Sequence, residues 1–331
     1  MVGTFVRLKL AILRNQLRSP RLRVAGLAGL VTGITFVLGG WFVLVGVQYQ
    51  PGVDATVLVM GAALIATGWV GLPLLLFTID DTLDPGRLAT YPLSVRQLLG
   101  GQLAAGLVGV APASILLASL GTLVFARDPV SLALIATAII LLALLGVTGS
   151  RALTNLLSAR LRSRQGDDAA LLFGTLALGA VSAGLQLATP ALRDPRTFPD
   201  STAYAAMSWT PGGALGRATV EAGDGLVALP ALRLAYVAVV VVGFAAVWWF
   251  ALERLMRDQG GGERGARAQR ADLFSGLLSF LPRDRVGAVA AREIRQRWGD
   301  PRRKSNLVAA AIIPIVVIAL GSGWSGARSI E

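Results

Sequence analysis

Apolar residues occur along this chain in long blocks. The windows 24–47, 55–79, 98–125, 130–150, 169–189, 234–252 and 305–321 are dominated by Leu, Val, Ile, Ala, Gly and Phe, and the first six hold no Asp, Glu, Lys or Arg. A helix crosses a bilayer with about 20 apolar residues, so each window qualifies as a span. The pattern predicts an all-α polytopic membrane protein.

The polar stretches between the blocks have patterns of their own. In residues 4–18, Phe5, Leu8, Ile12 and Leu13 recur at helical spacing among Arg7, Lys9, Arg14 and Arg18, with no acid. This predicts an amphipathic helix along the membrane surface, broken at Ser19-Pro20. Residues 24–47 are too long for a signal-peptide core and lack a small-residue cleavage site, so the block spans and stays. Between the second and third blocks, Asp80–Leu98 gathers charges of both signs. Asp84-Pro85 reads as a helix start, Pro92 ends that short helix, and Ser94 caps the next one. Residues 190–233 hold five prolines, among them Pro195, Pro199 and Pro211, and apolar pieces around Tyr204 and Trp209. That stretch is read either as a segment dipping back into the membrane or as an ordinary surface loop. Gly-Arg-rich residues 257–270 read as a flexible linker.

Charge sets the orientation. With the N-terminus inside, inward-facing segments hold 25 Arg and Lys and outward-facing segments six, the asymmetry expected of a cytosolic N-terminus. The net charge of +12 is thereby assigned to loops, and no aromatic-interleaved basic surface suggests nucleic acid. Composition agrees, with 54% apolar residues, 15% charged and a mean hydropathy of +0.64; soluble domains carry about 25% charged residues. Cys and His are absent, which removes disulfides, thiol nucleophiles and the commonest metal ligand and general base. No P-loop, nucleophile elbow or S-x-x-K motif occurs, so no enzyme is expected and any ATP chemistry must be borrowed. The uncharged windows speak against an ion-coupled carrier.

Residues 288–321 echo the N-terminal region at a constant offset of 281: Ser19-Pro20-Arg21 falls on Asp300-Pro301-Arg302, and Gly40 on Gly321. The expected organisation is a six-span unit over 1–256 with its amphipathic helix, a cytosolic linker over 257–284, and over 285–331 the amphipathic helix and first span of a second repeat. By this pattern the chain is expected to be cut short inside its second half.

Taken together, these features resemble permease subunits of the type-2 ABC exporter family, in particular a branch common in actinobacteria. The residues that carry the resemblance are Ser19-Pro20-Arg21, Asp80 through Leu88 with Tyr91-Pro92-Leu93-Ser94, Trp209-Thr210-Pro211-Gly212-Gly213, and Ala291–Arg295 through Arg303. The resemblance implies an exporter of the bacterial inner membrane that works with a separate ABC ATPase subunit, where ATP and magnesium bind. It implies a coupling helix at Asp84, Pro85, Gly86, Arg87, Leu88 and Tyr91, and a connecting helix bearing Arg7, Arg14, Arg18 and Arg21. It also implies an outer gate at Trp209, Pro211, Gly212 and Gly213. Further expected partners are a second permease half or a second copy, and membrane lipids. A membrane scaffold and an ion-coupled carrier remain the alternatives.

Overall fold

The computed structural model describes residues 2–18, 20–75, 94–161 and 194–260. In chain order the helices are α1 (Val2–Arg18), α2 (Pro20–Val47), α3 (Val53–Leu75), α4 (Val95–Gly106), α5 (Val110–Leu120), α6 (Pro129–Leu161), α7 (Thr202–Ser208), α8 (Pro211–Gly223) and α9 (Ala228–Gly260). Among the described residues there is no strand. Within these helices Gly26–Val47, Val53–Gly71, Pro129–Leu156 and Ala228–Arg254 are long and apolar enough to cross a membrane. This is a helical membrane protein. The expected spans 169–189 and 305–321, the repeat over 288–321 and the linker from 261 onward lie outside the described residues, while 257–260, expected to open that linker, continue α9 as helix.

The third apolar block, 98–125, departs from expectation. It forms two helices, α4 and α5, bent by 68° instead of one straight span. Pro112 explains the break, because its ring displaces the carbonyl four residues back and it has no N–H to donate. Gly106 and Gly109 flank the gap, and Gly106 lies against Val147 of α6, 2.9 Å from where its Cβ would be. Beyond α5 the chain tightens into a 3-10 turn, Gly121–Phe125. In the last turn of α5 the Leu117 carbonyl accepts a 2.7 Å bond from the Trp41 indole of α2, which gives one of the carbonyls at the helix end a partner. At the other end Ser94 caps α4 as predicted: its hydroxyl accepts from the Gln97 N–H at 3.3 Å, and the Gln97 side chain accepts from the Ser94 N–H at 3.1 Å.

Three apolar clusters order the bundle. At one end Phe5 of α1 packs with Leu98 and Ala105 of α4, Ala152 of α6, and Trp248 and Leu252 of α9. A Cβ at Gly101 would lie 2.6 Å from the Phe5 ring, so this glycine makes the seat for α1. In the middle α6, α8 and α9 share Leu141, Leu142, Leu145, Leu215, Val237 and Val241. At the opposite end α3 meets α7 and the 3-10 turn before it, Phe198–Asp200, through Ala55, Val59, Ala63, Phe198, Tyr204 and Met207. The amphipathic α1 is docked by Phe5, while Leu8 and Leu10 stay exposed.

Candidate functional site

The residues between Asp194 and Ala228 form a helical hairpin that enters the bundle and leaves on the same side. Its entry is pinned to the start of α3. The Thr56 hydroxyl donates to the Pro195 carbonyl at 2.7 Å, and Gly52, at φ +83°, lies so close that a Cβ would sit 2.9 Å from the Arg196 carbonyl oxygen. Asp194 tightens this corner by accepting from the backbone N–H groups of Arg196 and Thr197. Hydrogen bonding by the Thr197 side chain, then by these N–H groups, holds its carboxyl below the usual carboxylate range.

Ser201 caps α7, accepting from the Tyr204 N–H at 3.1 Å, and the Phe198 and Tyr204 rings meet edge to face at 5.7 Å. The turn is Trp209-Thr210. Thr210 caps α8 by accepting from the Gly213 N–H at 3.1 Å, and its own hydroxyl donates to the Met207 carbonyl at 2.7 Å. Pro211 follows at the first helical position, where its missing N–H costs nothing.

Glycine sets the depth of the hairpin. A Cβ on Gly212 would lie 2.6 Å from the Ala62 carbonyl oxygen and 2.9 Å from the Ala63 Cα, and one on Gly216 would meet the Leu58 carbonyl and lie 2.7 Å from the Val59 Cα. Two glycines four residues apart therefore press α8 onto the α3 backbone, as in close helix pairs within membranes. Ala63 is ten residues into α3 from Val53, about 15 Å at 1.5 Å per residue. Gly223 at the far end of α8 lies by the Phe125 carbonyl, 3.2 Å from where its Cβ would be. The hairpin thus descends beside α3, turns at Trp209, and climbs back antiparallel to α3.

A polar network ties the hairpin to α9. Glu221, its side chain 4% exposed, accepts from Nε of Arg217 and of Arg233, each at 2.9 Å and on separate oxygens. Arg217 also donates to the Tyr204 hydroxyl at 2.7 Å, joining α8 to α7. Arg233 donates to the Ser208 carbonyl at 3.3 Å and lies 5.4 Å over the Trp209 ring. The Tyr236 hydroxyl donates to the Trp209 carbonyl at 3.0 Å. Two C-terminal carbonyls of α7, which have no helical partner of their own, are satisfied by α9 in this way.

This network corrects the sequence reading, which placed no charge within the first six spans. That reading began the sixth span at 234, but α9 begins at Ala228 and carries Arg233 within its long apolar stretch. The signal was present as the spacing Arg217–Glu221, one helical turn apart, followed by an arginine at the edge of an apolar run.

Of the residues singled out by sequence, the structure gathers Trp209, Pro211, Gly212 and Gly213 at the hairpin turn, with Gly212 and Gly213 buried and Trp209 64% exposed. Arg7 and Arg14 are exposed on α1; Arg18 ends α1 and Arg21 lies in the first turn of α2. Asp84, Pro85, Gly86, Arg87, Leu88 and Tyr91 lie outside the described residues. Among the described residues no cluster of acidic groups is suited to a metal ion. Compared with known proteins, the chain matches no family model, no curated protein and no solved structure.

Proposed function

We propose that this chain is the membrane-spanning permease subunit of an ATP-driven exporter of the ABC type, built on a six-helix unit in a bacterial inner membrane with its N-terminus cytosolic. In this reading a separate ATPase subunit supplies the energy, Asp84–Tyr91 receive it, and the α7–α8 hairpin gates the outer side. The partner half is a second copy or a second permease chain.

One observation carries the proposal: α3 links the two candidate elements. Along Leu58–Ala66 it bears on α8 through Gly212 and Gly216, and its far end, Leu75, runs on toward the Asp80–Leu98 stretch. A displacement of α3 at one end is delivered to the hairpin at the other, because backbone-to-backbone contact leaves no soft side chain to absorb it. The docked α1, seated on α4 just after that stretch, adds support.

The test is ATP hydrolysis by the complex purified in mild detergent. Asp84→Ala and Arg87→Ala are expected to leave the chain folded and to lower its hydrolysis; hydrolysis unaffected by either sinks the proposal. Buried Glu221 gives some weight to the ion-coupled carrier as a second reading. Both of its oxygens are held by guanidinium groups, however, an arrangement that fixes α8 to α9 as a strut. Flux that collapses with an uncoupler and ignores ATP would favour the carrier.

A further inference from the structure

We propose that a cavity between α2 and the rest of the bundle holds one acyl chain of a bilayer phospholipid. The cavity encloses about 380 Å³, within the roughly 300–1,000 Å³ of ligand pockets in general. Leu142 of α6 and Leu215 of α8 form its floor, with Leu58 of α3 beside them, and all three are buried. Phe36 and Val43 of α2, on the opposite wall, stay exposed. The mouth therefore opens on the α2 flank, where Val31, Leu38 and Phe42 also face outward and where the bilayer meets a spanning helix.

The chemistry of the wall selects an apolar occupant. Three of its four hydroxyls are bonded to nearby backbone carbonyls: Ser119 donates to Ile115, Thr122 to Ser119 and Thr219 to Leu215, at 2.8, 2.7 and 3.1 Å. Among the described residues no charged side chain lines the cavity. A polar ligand would lose its hydration there without compensation, and a water needs two to four polar partners. Left empty, a space of this size forfeits the dispersion contacts of its whole lining. The apolar molecules in excess around a spanning bundle are lipid chains.

Glycine keeps the space open. A Cβ on Gly39 of α2 or Gly61 of α3, both in the lining, would meet nothing within 4 Å. Close helix packing, which explains Gly212 and Gly216, explains neither of these. The proposal does not rest on the export reading.

The test uses the intact chain in vesicles of phosphatidylethanolamine and phosphatidylglycerol doped with a phospholipid that carries a diazirine in one acyl chain. After illumination, adducts are mapped by mass spectrometry. Adducts are expected around Leu142 and Leu215. In Gly61→Leu their yield falls on the order of tenfold, since each displaced methylene costs about fourfold in affinity. Adducts on Phe42 do not change. If Gly61→Leu fails to insert, Gly39→Leu fills the same space from the other wall. Adducts confined to outward residues such as Phe42, or floor adducts undiminished in the filled variant, overturn the proposal.

Discussion

Removing the carboxylate of Glu221 should loosen the hairpin more than any other single change in it. Glu221→Ala deletes two 2.9 Å charge-assisted bonds and leaves two guanidinium groups facing each other. Breaking a buried pair by removing one partner costs about 3–5 kcal/mol. Here the lower end applies, because the Arg217 side chain is 32% exposed and water rehydrates it, whereas Arg233 is 18% exposed. About 3 kcal/mol corresponds to a fall in Tm of roughly 6–12 °C for a unit of this size. Arg233→Ala should follow, since it also abandons the Ser208 carbonyl and the Trp209 ring. Arg217→Ala should be mildest, at about 1 kcal/mol. Replacing all three by Met should be near neutral, because the desolvation cost disappears with the attraction. The assay is thermal unfolding in detergent at a fixed scan rate, since such proteins unfold irreversibly. The strut is refuted if Glu221→Ala melts with the parent protein, or if the Glu221 and Arg233 substitutions add without coupling.

Two further outcomes follow from the packing. Gly216→Ala drives a methyl group into the Leu58 carbonyl and the Val59 Cα, so α8 must back away from α3. The expected loss is about 1–3 kcal/mol, as for overpacked cores, read as a lower Tm and faster proteolysis near Trp209. Phe5→Ala empties the seat made by Gly101, Leu98 and Trp248 and should release α1. The chain contains no cysteine, so a single cysteine introduced at Ala152 reports the release as a gain in labelling rate.

The sequence was most informative where one local rule governs a segment. Apolar length announced α2, α3, α6 and α9, and a serine followed three residues later by glutamine capped α4. The 98–125 block misled because hydropathy averages over Pro112, whose effect is geometric. The hairpin was half visible. The five prolines of 190–233 marked a break in the apolar pattern, but whether the segment lies inside the bundle or on its surface depends on α3 presenting bare backbone to Gly212 and Gly216. That is a tertiary fact, and periodicity within α8 does not contain it. Arg233 went unread for a related reason. An arginine at the edge of an apolar run looks like a boundary until a buried carboxylate 12 residues earlier in sequence is brought against it.

The most direct test of the central claim is ATP hydrolysis by the complex isolated on this chain from the membranes of its own host. An ATPase subunit is expected to accompany the chain in fixed ratio, hydrolysis to fall in Asp84→Ala and Arg87→Ala, and Gly216→Ala to lower export more than hydrolysis. A monodisperse, folded complex that contains no ATPase would contradict it.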